Sequence, residues 1–124
     1  MLVTLSHVAL GGALGAVLRY LAGAWALRAF GPGFPWGTLF VNVAGSLLIG
    51  ALAVALADKG ARSAPFLIAG VLGGFTTFSA FSLETLALIE AGRAPLAALY
   101  VAASVLLSLL AVAAGALLSR AILA

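Results

Sequence analysis

The sequence predicts an all-α membrane protein of four transmembrane helices, and composition, the placement of charge and the length of the apolar stretches all lead there. Of 124 residues, 65% are hydrophobic and 7% are charged, far outside the range of soluble domains. The nine charged residues are Arg19, Arg28, Asp58, Lys59, Arg62, Glu84, Glu90, Arg93 and Arg120, and only Arg19 and Glu84 fall inside apolar stretches. The stretches run from Leu2 to Leu27, Trp36 to Leu56, Ala64 to Ile89 and Pro95 to Leu118, each long enough to cross a bilayer. Gly31-Pro32-Gly33-Phe34-Pro35, Asp58-Lys59-Gly60 and Ala91-Gly92-Arg93 supply the turns between them. The length allows one domain, residues 1–124.

The same composition excludes most other classes. With no Cys and one His there is no disulfide framework, thiolate metal site or Cys nucleophile, and enzyme chemistry has few groups to use. The net charge of +3 reflects a scarcity of acids. No basic cluster offers a nucleic-acid footprint. The first span lacks Lys or Arg ahead of it and is too long for a cleaved signal, so it reads as a retained helix.

Four spans place both termini and the Asp58 to Ser63 loop on one side of the membrane. That side carries Lys59, Arg62 and Arg120, and the other carries Arg28 and Arg93. A difference of one base does not fix an orientation under the positive-inside rule. The expectation is dual topology, in which inverted copies of the chain pair about a two-fold axis lying in the membrane plane.

Small residues recur at four-residue spacing: Gly11 with Gly15, Ala69 with Gly73, Gly70 with Gly74, and Ala111 with Gly115 and Ser119. Such spacing lets helix backbones approach closely in lipid. Polar residues repeat as well. Thr38, Asn42 and Ser46 form one helix stripe, and Tyr100, Ser104 and Ser108 form another. The hydroxyls serve either a polar path or helix–helix contacts. For Asn42, an amide that its own helix cannot wholly satisfy, both a path-facing and an interhelical role are open.

The third span contains Gly73-Gly74-Phe75-Thr76-Thr77-Phe78-Ser79-Ala80-Phe81-Ser82. Its glycine pair and β-branched pair weaken helix continuity, so a break at mid-membrane is expected. Carbonyls freed there must be buried in protein, or bind water or a cation. Phe78 and Phe81, three residues apart on one helix face beside Ser79 and Ser82, either pack in the core or against lipid, as aromatic pairs at helical spacing ordinarily do, or present electropositive ring edges that suit an anion in a narrow path. Arg19 either snorkels at the end of its span or charges the mouth of such a path. Glu84, one turn past Phe81, is either a proton-coupled carboxylate, a partner for a cation, or an acceptor for hydroxyls such as that of Tyr100.

Three blocks, Gly11-Gly12-Ala13-Leu14-Gly15-Ala16-Val17-Leu18-Arg19-Tyr20, Gly37-Thr38-Leu39-Phe40-Val41-Asn42-Val43-Ala44-Gly45 and the Gly73 to Ser82 block, resemble the small fluoride channels of the Fluc/CrcB family. The resemblance spans the whole chain, with one departure at Ala80, where the family commonly carries Thr. It implies an antiparallel, dual-topology homodimer in the cell inner or plasma membrane, with two pathways that export fluoride passively. It further implies that Phe78 and Phe81 are pore aromatics, Asn42 and Ser79 anion-path donors, and Arg19 a vestibule residue. Thr38, Glu84, Tyr100, Ser104 and Ser108 would line a polar track. Carbonyls of Gly73 and Thr76 from both subunits would hold a structural sodium ion.

Two other classes compete. Small multidrug exporters, proton-coupled antiporters of similar size, use an acid in the first span; this one has Arg19 instead, which would repel cationic cargo. A non-transporting subunit held by GxxxG contacts would leave Asn42 and the hydroxyl stripes without a purpose.

Overall fold

A computed structural model describes residues 1–57 and 61–124. The expected Asp58-Lys59-Gly60 turn lies outside the described residues. Helix α1 covers Leu2–Phe30 and α2 covers Trp36–Ala57. The third span, Pro65–Glu90, consists of α3, in which π-helical Pro65–Leu72 runs into the short helix Gly73–Phe75, and of α4, Ser79–Glu90. Helix α5 covers Ala94–Leu123. All elements among the described residues are helical, and four spans are long and apolar enough to cross a membrane. The outer spans run longer than expected, to Phe30 in α1 and Leu123 in α5, because the flanking Arg28 and Arg120 are accommodated in the last helical turns.

The connections follow from local chemistry. Gly31 and Gly92 adopt φ of 76° and 75°, the left-handed region that only glycine enters without strain, and so end α1 and the turn after α4. Pro65 and Pro95 sit in the first turns of α3 and α5, where a missing N–H costs no helical bond.

The helices pack as two pairs, α1 along α3 and α2 along α5, joined by α1–α2 contacts; α4 rests chiefly on α5. Glycine makes both pairs possible. A Cβ on Gly15 would strike the Val71 carbonyl and the Phe75 amide, and one on Gly74 would strike the Gly12 carbonyl. Between α2 and α5, a Cβ on Gly50 would meet the Val112 carbonyl, and one on Gly115 the Leu47 carbonyl. In lipid, where burial of apolar surface between helices gains little, this close backbone contact is the main source of association. Most large apolar side chains point outward, as expected of a surface facing acyl chains. The buried cluster is small, comprising Phe81, Leu88, Ala97 and Tyr100.

Replacing Gly15 with Ala is expected to lower the unfolding midpoint of the protein in detergent, at a cost of about 1–3 kcal/mol for the overpacked site. Gly23→Ala, where nothing lies within 4 Å of the added carbon, should leave it nearly unchanged; equal midpoints for the two variants would contradict the packing described.

Candidate functional site

The site is built around the gap between α3 and α4. Thr76 is extended, with φ −84° and ψ 157°, and Thr77 and Phe78 lie outside any helix. A continuous helix would pair the Gly73 carbonyl with the Thr77 N–H and the Thr76 carbonyl with the Ala80 N–H. Both donors are used elsewhere. The Thr77 N–H donates to Asn42 Oδ1 at 2.7 Å, and Asn42 Nδ2 donates back to the Thr77 carbonyl at 2.9 Å. The Ala80 N–H donates to Thr77 Oγ1 at 3.1 Å, so that this hydroxyl serves the first turn of α4. Asn42 therefore joins α2 to the backbone of the gap with two reciprocal bonds, an interhelical role, while one amide hydrogen remains for other use.

Arg19 reaches from α1 to the same segment, its Nε–H donating to the Gly74 carbonyl at 3.1 Å. Its guanidinium thus lies against the gap and not free at a helix end. Beside it, a cleft of about 520 Å³ is lined by Arg19, Tyr20, Thr38, Thr77, Ala80 and Glu84.

Glu84 is satisfied by hydroxyls. Thr38 Oγ1 donates to one carboxylate oxygen at 2.7 Å, and the Tyr100 hydroxyl donates to the other at 2.9 Å. Tyr100 is fully buried, with the rings of Phe81 and Phe34 at 5.1 and 5.3 Å. One carboxylate, one α2 hydroxyl and one α5 hydroxyl therefore form a closed cluster that fixes α4 against both neighbours.

A groove of about 420 Å³ opens on the face where α2, α3 and α5 meet, lined by Asn42, Ser46, Gly73, Thr76, Phe78, Ser104 and Ser108 among others. Of the two stripes read from the sequence, Asn42, Ser46, Ser104 and Ser108 line this groove, whereas Thr38 and Tyr100 lie outside it and bond Glu84. Ser104 Oγ is buried and has no hydrogen-bond partner among the described residues. The rings of Phe78 and Phe81 lie 5.5 Å apart in a tilted pair, but their settings differ. Phe81 is buried, whereas Phe78 is 78% exposed at the lip of the groove. Ser79, also exposed, has its hydroxyl 3.3 Å from that of Thr77. Gly73 and Thr76 both line the groove, and their carbonyls accept no hydrogen bond among the described residues. Two such oxygens per chain are the hard, neutral ligands that a small monovalent cation takes, so the donor set fits a sodium ion.

Two participants were not singled out from the sequence. Thr77 was read only as a helix-weakening neighbour of Thr76, yet its amide, carbonyl and hydroxyl are all used; its place in a Thr pair beside glycines was the available signal. Arg93 donates from Nη1 to the Gly33 carbonyl at 2.8 Å, tying the α4–α5 turn to the α1–α2 connection. No short-range pattern relates these two positions.

A multi-pass helical membrane protein with a polar groove at an interrupted span is the class this geometry defines. Residues 6–116 match the family model described as CrcB-like protein, Camphor Resistance (CrcB), and the chain belongs to that family. Among curated relatives, a protein of Cereibacter sphaeroides (strain ATCC 17029 / ATH 2.4.9) named fluoride-specific ion channel FluC is 60% identical over 115 residues, covering 93% of each chain. One of the same name from Rhizobium meliloti (strain 1021) is 57% identical over 123 residues, covering 94% of this chain and 98% of the relative. A third, from Ruegeria sp. (strain TM1040), is 54% identical over 125 residues and covers 99% of both. Ion channels are a non-enzymatic class.

Removing the Asn42 side chain leaves the Thr77 amide and carbonyl without partners in a low-dielectric setting, at an expected cost of about 1–3 kcal/mol. Asn42→Ala should therefore unfold at a clearly lower temperature than wild type in calorimetry of the detergent-solubilised protein; an unshifted transition would remove the clamp.

Proposed function

We propose that the chain is a fluoride channel that exports fluoride passively across the cell inner or plasma membrane as an antiparallel homodimer. The observation that carries this reading is the groove beside the interrupted span, in a chain whose relatives are named fluoride-specific ion channels. An amide, several hydroxyls and two free carbonyls on an open face cannot be left against acyl chains, since each unsatisfied group in hydrocarbon costs several kcal/mol. A second copy seated on that face covers them. The near balance of basic residues on the two sides supports an inverted partner.

Fluoride is small and strongly hydrated, so a selective path must replace its water with closely spaced donors while remaining too narrow for larger halides. The free amide hydrogen of Asn42 and the hydroxyls of Ser79, Ser104 and Ser108 provide donors, and the edges of Phe78 and Phe81 provide a wall of positive quadrupole. Thr38, Glu84 and Tyr100 continue the polar track towards α1. Arg19 contributes a fixed positive charge that favours anions near the gap.

The carbonyls of Gly73 and Thr76, contributed by both copies at the two-fold axis, would hold a structural sodium ion. Bound there, it would supply positive charge that satisfies the freed oxygens and ties the two chains together. The chain's own part is to keep those carbonyls out of helical hydrogen bonding. The antiporter reading is disfavoured by the family match and by a first span that lacks an acid.

Proteoliposomes loaded with fluoride should release it rapidly to an external electrode and retain chloride. Phe78→Ile should abolish that release while the protein still elutes as a folded dimer. Chloride release equal to that of fluoride, or undiminished fluoride release by the variant, would overturn the respective assignments.

A further inference from the structure

The gap between α3 and α4 frees a run of carbonyls, and the chain disposes of them unequally. In a continuous helix the carbonyls of Gly73, Gly74, Phe75 and Thr76 would accept from the N–H groups of Thr77, Phe78, Ser79 and Ala80. None of these four bonds is present. The Gly74 carbonyl has been given a substitute donor from another helix, Arg19 Nε at 3.1 Å. The carbonyls of Gly73, Phe75 and Thr76 have none among the described residues, and of these three residues Gly73 and Thr76 line the groove.

We propose that Arg19 is a positioning residue of the cation site: by occupying the Gly74 carbonyl, its Nε–H keeps the span interrupted and so leaves the Gly73 and Thr76 carbonyls free for a small hard cation. This rests on the sodium site proposed above. An unpaired Gly74 carbonyl inside the membrane is costly, and its nearest remedy is the helical bond to the Phe78 N–H. That bond requires residues 75 to 77 to become helical, which turns Thr76 out of its extended conformation and returns the Gly73 carbonyl to its own helical donor. The site closes as the helix heals. Asn42 opposes the same rewinding from α2 by holding the Thr77 amide, so the gap is held open from two sides.

The role belongs to the donor atom and not to the charge, which separates it from any attraction of anions by the guanidinium. The side-chain amide nitrogen of Gln lies as many bonds from the backbone as Nε of Arg, whereas Met matches the stem and has no donor. Arg19→Gln therefore keeps the bond to Gly74 without the charge, and Arg19→Met loses both.

The test is thermal unfolding of the purified protein as a function of sodium concentration, with choline holding ionic strength constant. Wild type should gain stability with sodium. Arg19→Met should need about tenfold more sodium for the same gain, the effect expected of one lost charge-assisted hydrogen bond, and Arg19→Gln should respond within about threefold of wild type. A wild-type sodium response in Arg19→Met, or an equal loss in both variants, overturns the positioning role while leaving the cation site in place. If Arg19→Met yields no folded protein, Arg19→Gln decides alone, and a lost sodium response in it overturns the role. An absent sodium response in wild type removes the cation site, and the inference with it.

Discussion

Inside a bilayer backbone N–H and C=O groups cannot be left bare against lipid, and the interruption between Phe75 and Ser79 is the place where this chain meets part of that requirement with side chains instead of a helix. Asn42 from α2, Arg19 from α1 and the hydroxyl of Thr77 replace the missing helical partners. Much of the remaining structure serves this arrangement. The glycines of α1 and α3 bring those helices close enough for Arg19 to reach Gly74, and the γ-methyl of Thr76 occupies the space that a side chain on Gly45 of α2 would take. A larger residue at any of these glycines would push a helix away from the segment it supports.

The polar groups within the spans divide by their state of satisfaction. Glu84, Thr38 and Tyr100 form a closed set, each bonded to another member. Such a set stabilises the position of α4 and gives both Glu84 side-chain oxygens a hydroxyl partner at membrane depth. Ser104 and the carbonyls of Gly73 and Thr76 are unsatisfied and share the groove. Unsatisfied groups in a membrane protein mark the places where something else binds or passes. The satisfied cluster thus holds α4 in place beside a groove in which the Ser104 hydroxyl and the Gly73 and Thr76 carbonyls remain without partners among the described residues.

Much of the fold was legible because it follows from hydropathy. Seven of the nine charges mark the ends of the spans, and Trp36 and the Gly31 to Pro35 connection lie where the sequence places them. The stripes of Thr38, Asn42 and Ser46, and of Tyr100, Ser104 and Ser108, could be drawn from helical periodicity alone. Their partners could not. That Asn42 bonds the backbone of Thr77, that Arg19 caps Gly74 and that Arg93 reaches Gly33 depend on how helices distant in sequence are juxtaposed. Phe78 and Phe81 show the same limit: a spacing of three suggests one shared face, but Phe78 precedes α4 and is exposed while Phe81 is buried against Tyr100. The π-helical turn of α3 left no sequence mark beyond Pro65 and the glycines.

The proposed dimer, in which an inverted copy of the chain covers the groove, can be tested by distance. The sequence has no Cys, so a single cysteine at the exposed Ala91 of the α4–α5 turn carries a unique spin label, and the distance between the two labels of a dimer in lipid can be measured by pulsed electron resonance. An antiparallel pair places them on opposite faces, at least about 30 Å apart across the hydrocarbon core. A short distance within one face, or the absence of any dipolar coupling, would contradict it.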